Sequence, residues 1–176
     1  SIDMVYTWVD GSDPEFQYQL RLYKGLSNEG FTPGSSGANR FAENDEILYS
    51  LRSVAKYAPW VRNIYIFTNG QVPEWLNTDH PKIHMVFHKD VWLDPSQLPV
   101  FSSAAIETNL GRIPGMSNHF IYSNDDMFFM QPVEKRHFFA NEGMVMRLRP
   151  ETTMCADGCY PYMLADGICQ EECNSG

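Results

Sequence analysis

Residues 2–9 read IDMVYTWV, and the turn-forming cluster DGSDP follows directly at residues 10–14. Because β-branched and aromatic residues predominate in the first stretch, it predicts a buried strand that ends in a loop at Asp10. Two more stretches of this kind, residues 61–68 (VRNIYIFT) and 120–123 (FIYS), run into the polar turns Asn69-Gly70 and Asn124-Asp125-Asp126. A further, shorter strand is predicted over residues 83–87.

Helical patterns separate these strands. Apolar residues recur at helical spacing over residues 43–57 and stop before Pro59, which predicts a helix there. Helices are also predicted over residues 14–24 and 102–112, the latter with Ser102 or Ser103 as N-cap. The alternation favours an α/β fold, a mostly parallel central sheet flanked by helices. Ligands bind such sheets at the carboxyl ends of the strands, so the three polar turns are expected to converge on one edge.

The composition excludes several classes of function. The 176 residues carry a net charge of −9, which would repel a polyanion, so nucleic acid is not an expected partner. No apolar run reaches the 18 or so residues of a membrane span. The chain has no GxGxxG, Walker-type or GxSxG motif, so a dinucleotide enzyme, a P-loop kinase and a hydrolase elbow are unsupported.

The four cysteines lie near the carboxyl terminus, at Cys155, Cys159, Cys169 and Cys173. They are compatible with a disulfide-rich appendage or with a zinc site, and spacings of three, nine and three residues favour disulfides over zinc knuckles. We therefore expect a main domain over residues 1–150 and a small appendage over residues 151–176. Within the main domain, residues 27–39 have the Gly- and Ser-rich composition of a linker, and GSSG at residues 34–37 suggests an engineered one.

Two acidic positions in the sequence are candidates for metal binding or catalysis. Asp125 and Asp126 follow a strand and could hold Mg²⁺ or Mn²⁺, which prefer carboxylate and phosphate oxygens, although such pairs also occur simply as turn caps. Glu107 lies among small apolar residues of a predicted helix, and local sequence favours a solvated position for it. His80, His84 and His88 span a proline and a strand, so they cannot form a helical metal-binding face and receive no metal role.

The sequence also contains two longer, ordered blocks. The first is residues 2–11; the second is carried by residues 40–46, 49–53, 57–60, 64–77, 105–107 and 121–126. Both resemble signature blocks of the Stealth family of sugar-phosphate transferases. Residues 155–159, 166–169 and 172–174 resemble the beginning of a Notch-type cysteine repeat. By this resemblance, residues 1–150 are the amino-terminal part of a Stealth catalytic domain with a nucleotide-sugar transferase-like fold, and residues 151–176 begin the repeat.

The resemblance implies a reaction and roles for individual residues. N-acetylglucosamine 1-phosphate would pass from UDP-N-acetylglucosamine to mannose 6-hydroxyls of high-mannose glycans on lysosomal hydrolases, with release of UMP. Glu107 and Asp126 are then the expected catalytic residues, and Asp125 and Asp126 the expected ligands of Mg²⁺ or Mn²⁺. Arg52 has either a phosphate-binding role or a helix-face salt bridge. The expected donor-binding residues are Tyr6, Thr7, Trp8, Gly11, Arg52, Asn69 and Gly70.

The same resemblance implies partners and a location. A carboxyl-terminal catalytic segment or second chain should complete the site, and an accessory subunit, a homodimer and Ca²⁺ in the cysteine repeat are further expectations. The expected location is the Golgi lumen, as part of a membrane-anchored parent protein. Two other functions are considered: a metal-dependent glycosyltransferase that releases UDP, and a non-catalytic recognition module.

Overall fold

Four parallel strands form the central sheet, in the order β3-β2-β1-β4. The computed structural model describes residues 1–26, 45–140, 143–144, 162–163 and 169–170. The sheet strands are β1 (Asp3–Thr7), β2 (Ile64–Thr68), β3 (Ile83–Phe87) and β4 (Phe120–Asn124). In register, Thr7 is opposite both Phe67 and Asn124, so the carboxyl ends of neighbouring strands share one edge. The predicted parallel α/β sheet is confirmed.

Helices lie between β1 and β2 and between β3 and β4, and they differ from the prediction in the length of the last helix and in an additional four-residue helix, His88–Val91. They are α1 (Pro14–Leu26), α2 (Glu46–Tyr57), α3 (His88–Val91) and α4 (Ser103–Glu107), with 3₁₀ turns at Pro95–Gln97 and Leu110–Arg112. Ser102 is the N-cap of α4, as predicted, but the expected helix over residues 102–112 is wrong in length. The Thr108 hydroxyl and the Asn109 amide both donate to the Ala105 carbonyl, at 2.8 and 2.9 Å. These side-chain bonds compete with helix continuation and end α4 at Glu107.

Side chains alternate between two apolar layers, one on each face of the sheet. On β1, Met4 and Tyr6 pack in the cluster that contains Ile47 and Leu51 of α2. Val5 belongs to the cluster on the other face. Since successive side chains of a strand point to opposite faces, a strand apolar at nearly every position must be covered on both sides. β1 and β2 are such strands, which explains why they occupy the centre of the sheet.

A buried carboxylate anchors the first strand at the edge opposite the polar turns. Asp3 is fully buried, and Arg62 donates to it from Nε at 2.8 Å and Nη2 at 2.6 Å. The backbone N–H groups of Asn63 and Ser117 donate to the same carboxylate at 3.1 and 2.6 Å. Asp3 therefore ties β1 to the residues that precede β2 and β4.

The chain divides into two compact units, Ser1–Glu134 and Lys135–Gly176. The second contains the two-stranded pairs β5 (Phe139–Ala140) with β6 (Gly143–Met144) and β7 (Tyr162–Met163) with β8 (Cys169–Gln170). The predicted linker at 27–39, the predicted boundary at residue 150 and Cys155, Cys159 and Cys173 lie outside the described residues. Cys169 is described only as the first residue of β8, so the disulfide-rich appendage stays a prediction. None of the described helices is long and apolar enough to cross a bilayer.

Candidate active site

A cavity of about 290 Å³ opens at the carboxyl edge of the sheet. It receives residues from the ends of all four strands and from α1 and α4. Its lining consists of Thr7, Trp8, Val9, Phe16, Phe67, His88, Val100, Phe101, Ser103, Ile106, Glu107, Asn124, Asp125 and Asp126. Three carboxylates therefore share one concave surface with several aromatic rings, the combination of few polar groups and apolar walls that is common in ligand sites.

The Tyr122 hydroxyl connects three residues of this cavity. It lies 3.1 Å from Glu107 Oε1, 2.9 Å from Asn124 Oδ1 and 3.2 Å from Thr7 Oγ1. A phenol has one proton to donate, so it serves one of the two carbonyl-type oxygens at a time, while Thr7 can donate to the phenolic oxygen. Glu107, an exposed residue on the short helix α4, is thus held to the end of β4.

Burial raises the pKa of the Tyr122 phenol; the hydrogen bond with Thr7 opposes this rise, and the negative charges of Glu107 and Asp125 add to it. The hydroxyl consequently remains protonated at neutral pH and can donate to a carboxylate. Sequence reasoning missed Tyr122. The available signal was the two-residue strand period, which puts Tyr122 and Asn124 on the same face of β4.

The acidic pair, Asp125 and Asp126, is held in place by α2. Ser50 Oγ donates to the Met127 carbonyl, and Ser53 Oγ accepts from the Phe129 N–H at 3.0 Å. The two serines are one helical turn apart and both are buried, so they bind the chain just after the acidic pair as it leaves the sheet. The turn is therefore fixed by β4 before it and by α2 after it.

Only some of the predicted donor-binding residues line the cavity. Thr7 and Trp8 line the cavity, whereas Gly11, Asn69 and Gly70 lie at the same sheet edge without lining it. Gln71 joins the two turns, because its amide donates to the Asp10 carbonyl at 3.0 Å and accepts from the Asp10 N–H at 2.8 Å. The predicted convergence of the turns is thus present, and the donor-binding role of these residues stays a prediction.

The side chains of Tyr6 and Arg52 lie outside this cavity. Tyr6 is fully buried on the α2 face, where its hydroxyl lies 2.8 Å from Ser50 Oγ; burial raises its pKa to about 12. Arg52 lines a separate cavity of about 450 Å³ beside α2, and its guanidinium lies 5.6 Å from the centre of the Tyr49 ring.

The donor chemistry of the acidic pair fits Mg²⁺ or Mn²⁺. Glu107 and Asn124 supply further oxygens to the same cavity. No group of three or more His, Cys, Asp or Glu residues suited to a metal occurs among the described residues. Mg²⁺ commonly takes only one or two carboxylates from a protein and completes its shell with substrate phosphate and water.

A histidine that received no role in the sequence analysis also lines the cavity. His88 follows β3 directly, its side chain is 3% exposed, and its ring centre is 4.6 Å from that of Phe67. Its position could have indicated a site residue, because His88 directly follows a predicted strand, as the three polar turns do.

Comparison with known proteins agrees with the sequence resemblance. Residues 1–27 match the model of Stealth protein CR1, conserved region 1, and residues 40–147 match that of Stealth protein CR2, conserved region 2. Exopolysaccharide phosphotransferase SCO6023 of Streptomyces coelicolor is 46% identical over 143 residues, 81% of this chain and 24% of that protein.

Two further relatives have comparable identity. N-acetylglucosamine-1-phosphotransferase subunits alpha/beta of Homo sapiens are 47% identical over 139 residues, 78% of this chain and 11% of the relative. Capsular polysaccharide phosphotransferase fcs1 of Haemophilus influenzae is 43% identical over 143 residues, 81% of this chain and 39% of the relative. The chain thus spans between 11% and 39% of the length of these three relatives. Because the two family models together match most of its residues, the chain belongs to the Stealth family.

Proposed function

We propose that this chain forms the donor side of a sugar-phosphate transferase that moves N-acetylglucosamine 1-phosphate from UDP-N-acetylglucosamine to mannose 6-hydroxyls. The acceptors would be high-mannose glycans on lysosomal hydrolases. The observation that carries the proposal is that Glu107, Asp125 and Asp126 line one cavity at the carboxyl edge of a parallel sheet. The phosphotransferase names of the relatives support the class of reaction.

In the proposed reaction, the mannose 6-oxygen attacks the phosphorus that bears N-acetylglucosamine. A phosphorus–oxygen bond forms, the phosphoanhydride bond to UMP breaks, and UMP leaves with the electron pair. Glu107 takes the hydroxyl proton as general base. Because catalysis of phosphoryl transfer depends mainly on positioning and charge stabilisation, the hydrogen bond from Tyr122 would help to orient Glu107.

Mg²⁺ or Mn²⁺ would be held by Asp125 and Asp126, and when bound it would supply positive charge to the phosphate oxygens. The cavity lining contains no Lys or Arg among the described residues. A diphosphate bound here would meet the three carboxylates of the lining. We propose that a divalent ion, together with basic residues from a carboxyl-terminal segment or second chain, balances this negative charge.

The nucleotide product tests the reaction class. With UDP-N-acetylglucosamine and a mannoside acceptor, the complete protein is expected to release UMP, and chelation of divalent ions is expected to stop the release until Mg²⁺ or Mn²⁺ is restored. Chromatography of the nucleotides measures both. Release of UDP instead would establish a glycosyltransferase, and failure to bind or consume the donor would favour a non-catalytic recognition module.

Tyr122→Phe tests the positioning of Glu107. Removing the hydroxyl leaves Glu107 without its bond to β4, so kcat is expected to fall about tenfold while KM for the donor stays within about twofold. Tyr65→Phe is the matched control, because Tyr65 is a buried tyrosine of the same sheet that does not line the cavity. Unchanged kcat in Tyr122→Phe, or an equal loss in Tyr65→Phe, would contradict the assignment.

We place the parent protein in the Golgi lumen with a membrane anchor, an accessory subunit and a homodimeric state. Ca²⁺ is proposed for the cysteine repeat. The bacterial relatives carry the names of exopolysaccharide and capsular polysaccharide phosphotransferases. Activity on a bacterial polysaccharide instead of mannosides would therefore refute the proposed acceptor and leave the proposed class of reaction intact.

A further inference from the structure

His88 combines near-complete burial with a position in the cavity lining. Its side chain is 3% exposed, and its ring contacts Phe67 at 4.6 Å and Trp92 at 5.8 Å between ring centres. Among the described residues, its imidazole makes no hydrogen bond. A buried imidazole normally has a hydrogen-bond partner, so the polar edge of His88 is available to a ligand in the cavity.

The charge state of His88 limits what it can bind. Burial lowers its pKa to about 4, so the imidazole is neutral at physiological pH. A neutral imidazole offers one N–H donor and one nitrogen acceptor and no positive charge. It therefore suits an uncharged polar group better than a phosphate. The neighbouring lining residues Phe67, Val100 and Phe101 are apolar, which suits the flat face of a heterocycle.

The order of the strands separates His88 from the acidic pair. His88 follows β3 and Asp125 follows β4, and these two strands are at opposite ends of the order β3-β2-β1-β4. Three strand spacings of about 4.8 Å separate them, about 14 Å along the sheet edge. His88, Asp125 and Asp126 nevertheless line the same cavity, so one ligand can contact both ends of it. A nucleotide whose phosphates lie at the acidic pair would extend its base towards His88.

We infer that His88 is a specificity-determining residue that hydrogen-bonds the pyrimidine base of the donor nucleotide. The inference rests on the proposed use of UDP-N-acetylglucosamine and adds the residue that recognises its uracil. The imidazole packs edge-on against the Phe67 ring and also lies beside the ring of Trp92, the residue that follows α3. Trp92 is itself held, because its indole N–H donates to Gln97 Oε1 at 3.2 Å.

The test compares UDP, CDP and inorganic pyrophosphate as ligands of the complete protein in the presence of Mg²⁺, by calorimetric titration. His88→Leu is expected to weaken UDP binding at least about tenfold and to bring the affinities for UDP and CDP close together, because one buried hydrogen bond is lost. Pyrophosphate binding should be unchanged. His84→Leu is the matched control, since His84 also stacks on an aromatic ring, Tyr65, but does not line the cavity.

Other outcomes overturn the inference in distinguishable ways. Equal UDP affinity in wild type and His88→Leu, or a parallel loss of UDP and pyrophosphate binding, would assign His88 a packing role only. If His88→Leu does not fold, His88→Phe keeps a planar ring against Phe67 and gives the same comparison. Absence of UDP binding in the wild type would refute the proposed function itself, and this inference with it. UDP binding that is insensitive to His88 would refute this inference alone.

Discussion

Asp126→Asn is expected to reduce the transfer of N-acetylglucosamine 1-phosphate by about a thousandfold or more. The substitution keeps the size of the side chain but removes one negative charge from the acidic pair, and with it the proposed site for the divalent ion that balances the donor phosphates. Calorimetric titration with UDP-N-acetylglucosamine should show metal-dependent binding in the wild type and none in the variant. Initial rates of UMP release measure the effect on turnover.

A second substitution separates the two roles within this experiment. Glu107→Gln should retain metal-dependent donor binding and lose turnover by about a hundredfold or more, as expected for removal of a general base. Asp79→Asn is the matched control. Asp79 is exposed and lies outside the cavity, so this variant makes the same chemical change at a position without a proposed catalytic role. Normal turnover in Asp126→Asn and Glu107→Gln would refute the catalytic assignment of both residues.

Asp3→Ala is expected to lower the free energy of unfolding by about 3 kcal/mol or more, because it leaves several donors at the base of the sheet without their acceptor. Two backbone N–H groups and the Arg62 side chain all bond to this one carboxylate. Urea denaturation followed by tryptophan fluorescence measures the change. Asp79→Ala, an exposed position, should change stability by less than about 0.5 kcal/mol. Equal stability of the two variants would refute the anchoring role of Asp3.

The stabilisation by Asp3 should also depend on pH. Burial raises the pKa of Asp3, but hydrogen bonds from Arg62, Ser117 and Asn63 and the charge of Arg62 outweigh it, so the pKa is lowered from its usual 3.8. A lowered pKa in the folded state means that the stabilisation is fully present above about pH 4 and is lost as the pH falls through the folded-state pKa. The wild type and Asp3→Ala should therefore converge in stability only in strong acid. A difference that is constant down to pH 2 would contradict this linkage.

Local sequence patterns were sufficient to predict most of the helices and strands of the first unit. The strand over Asp3–Thr7 and the helix over Glu46–Tyr57 were predicted because alternation and helical periodicity are properties of adjacent residues. α4 was predicted too long because the bonds of Thr108 and Asn109 to the Ala105 carbonyl depend on rotamers, which periodicity does not describe. The four-residue helix His88–Val91 is shorter than one full apolar repeat, so it produced no recognisable pattern.

The candidate site was predicted in part. The acidic pair and Glu107 were identified from motifs, and the structure brings them to one cavity. Tyr122 and His88 were missed because their significance depends on partners distant in the chain: Thr7 is 115 residues from Tyr122, and Phe67 is 21 residues from His88. Arg52 was expected either to bind phosphate or to form a helix-face salt bridge; its side chain lines another cavity, and its role stays a prediction.

The sequence by itself determined the α/β class, the parallel sheet and the family, because apolar periodicity and ordered motifs depend only on the order of residues in the chain. Only the tertiary structure decided which side chains share the cavity, since that depends on strand order and on which face of each strand a residue occupies. Thr7 and Tyr6 are neighbours in the chain, yet one lines the cavity and the other is buried under α2. The physical reason is the two-residue period of a strand, which sends adjacent side chains to opposite faces of the sheet.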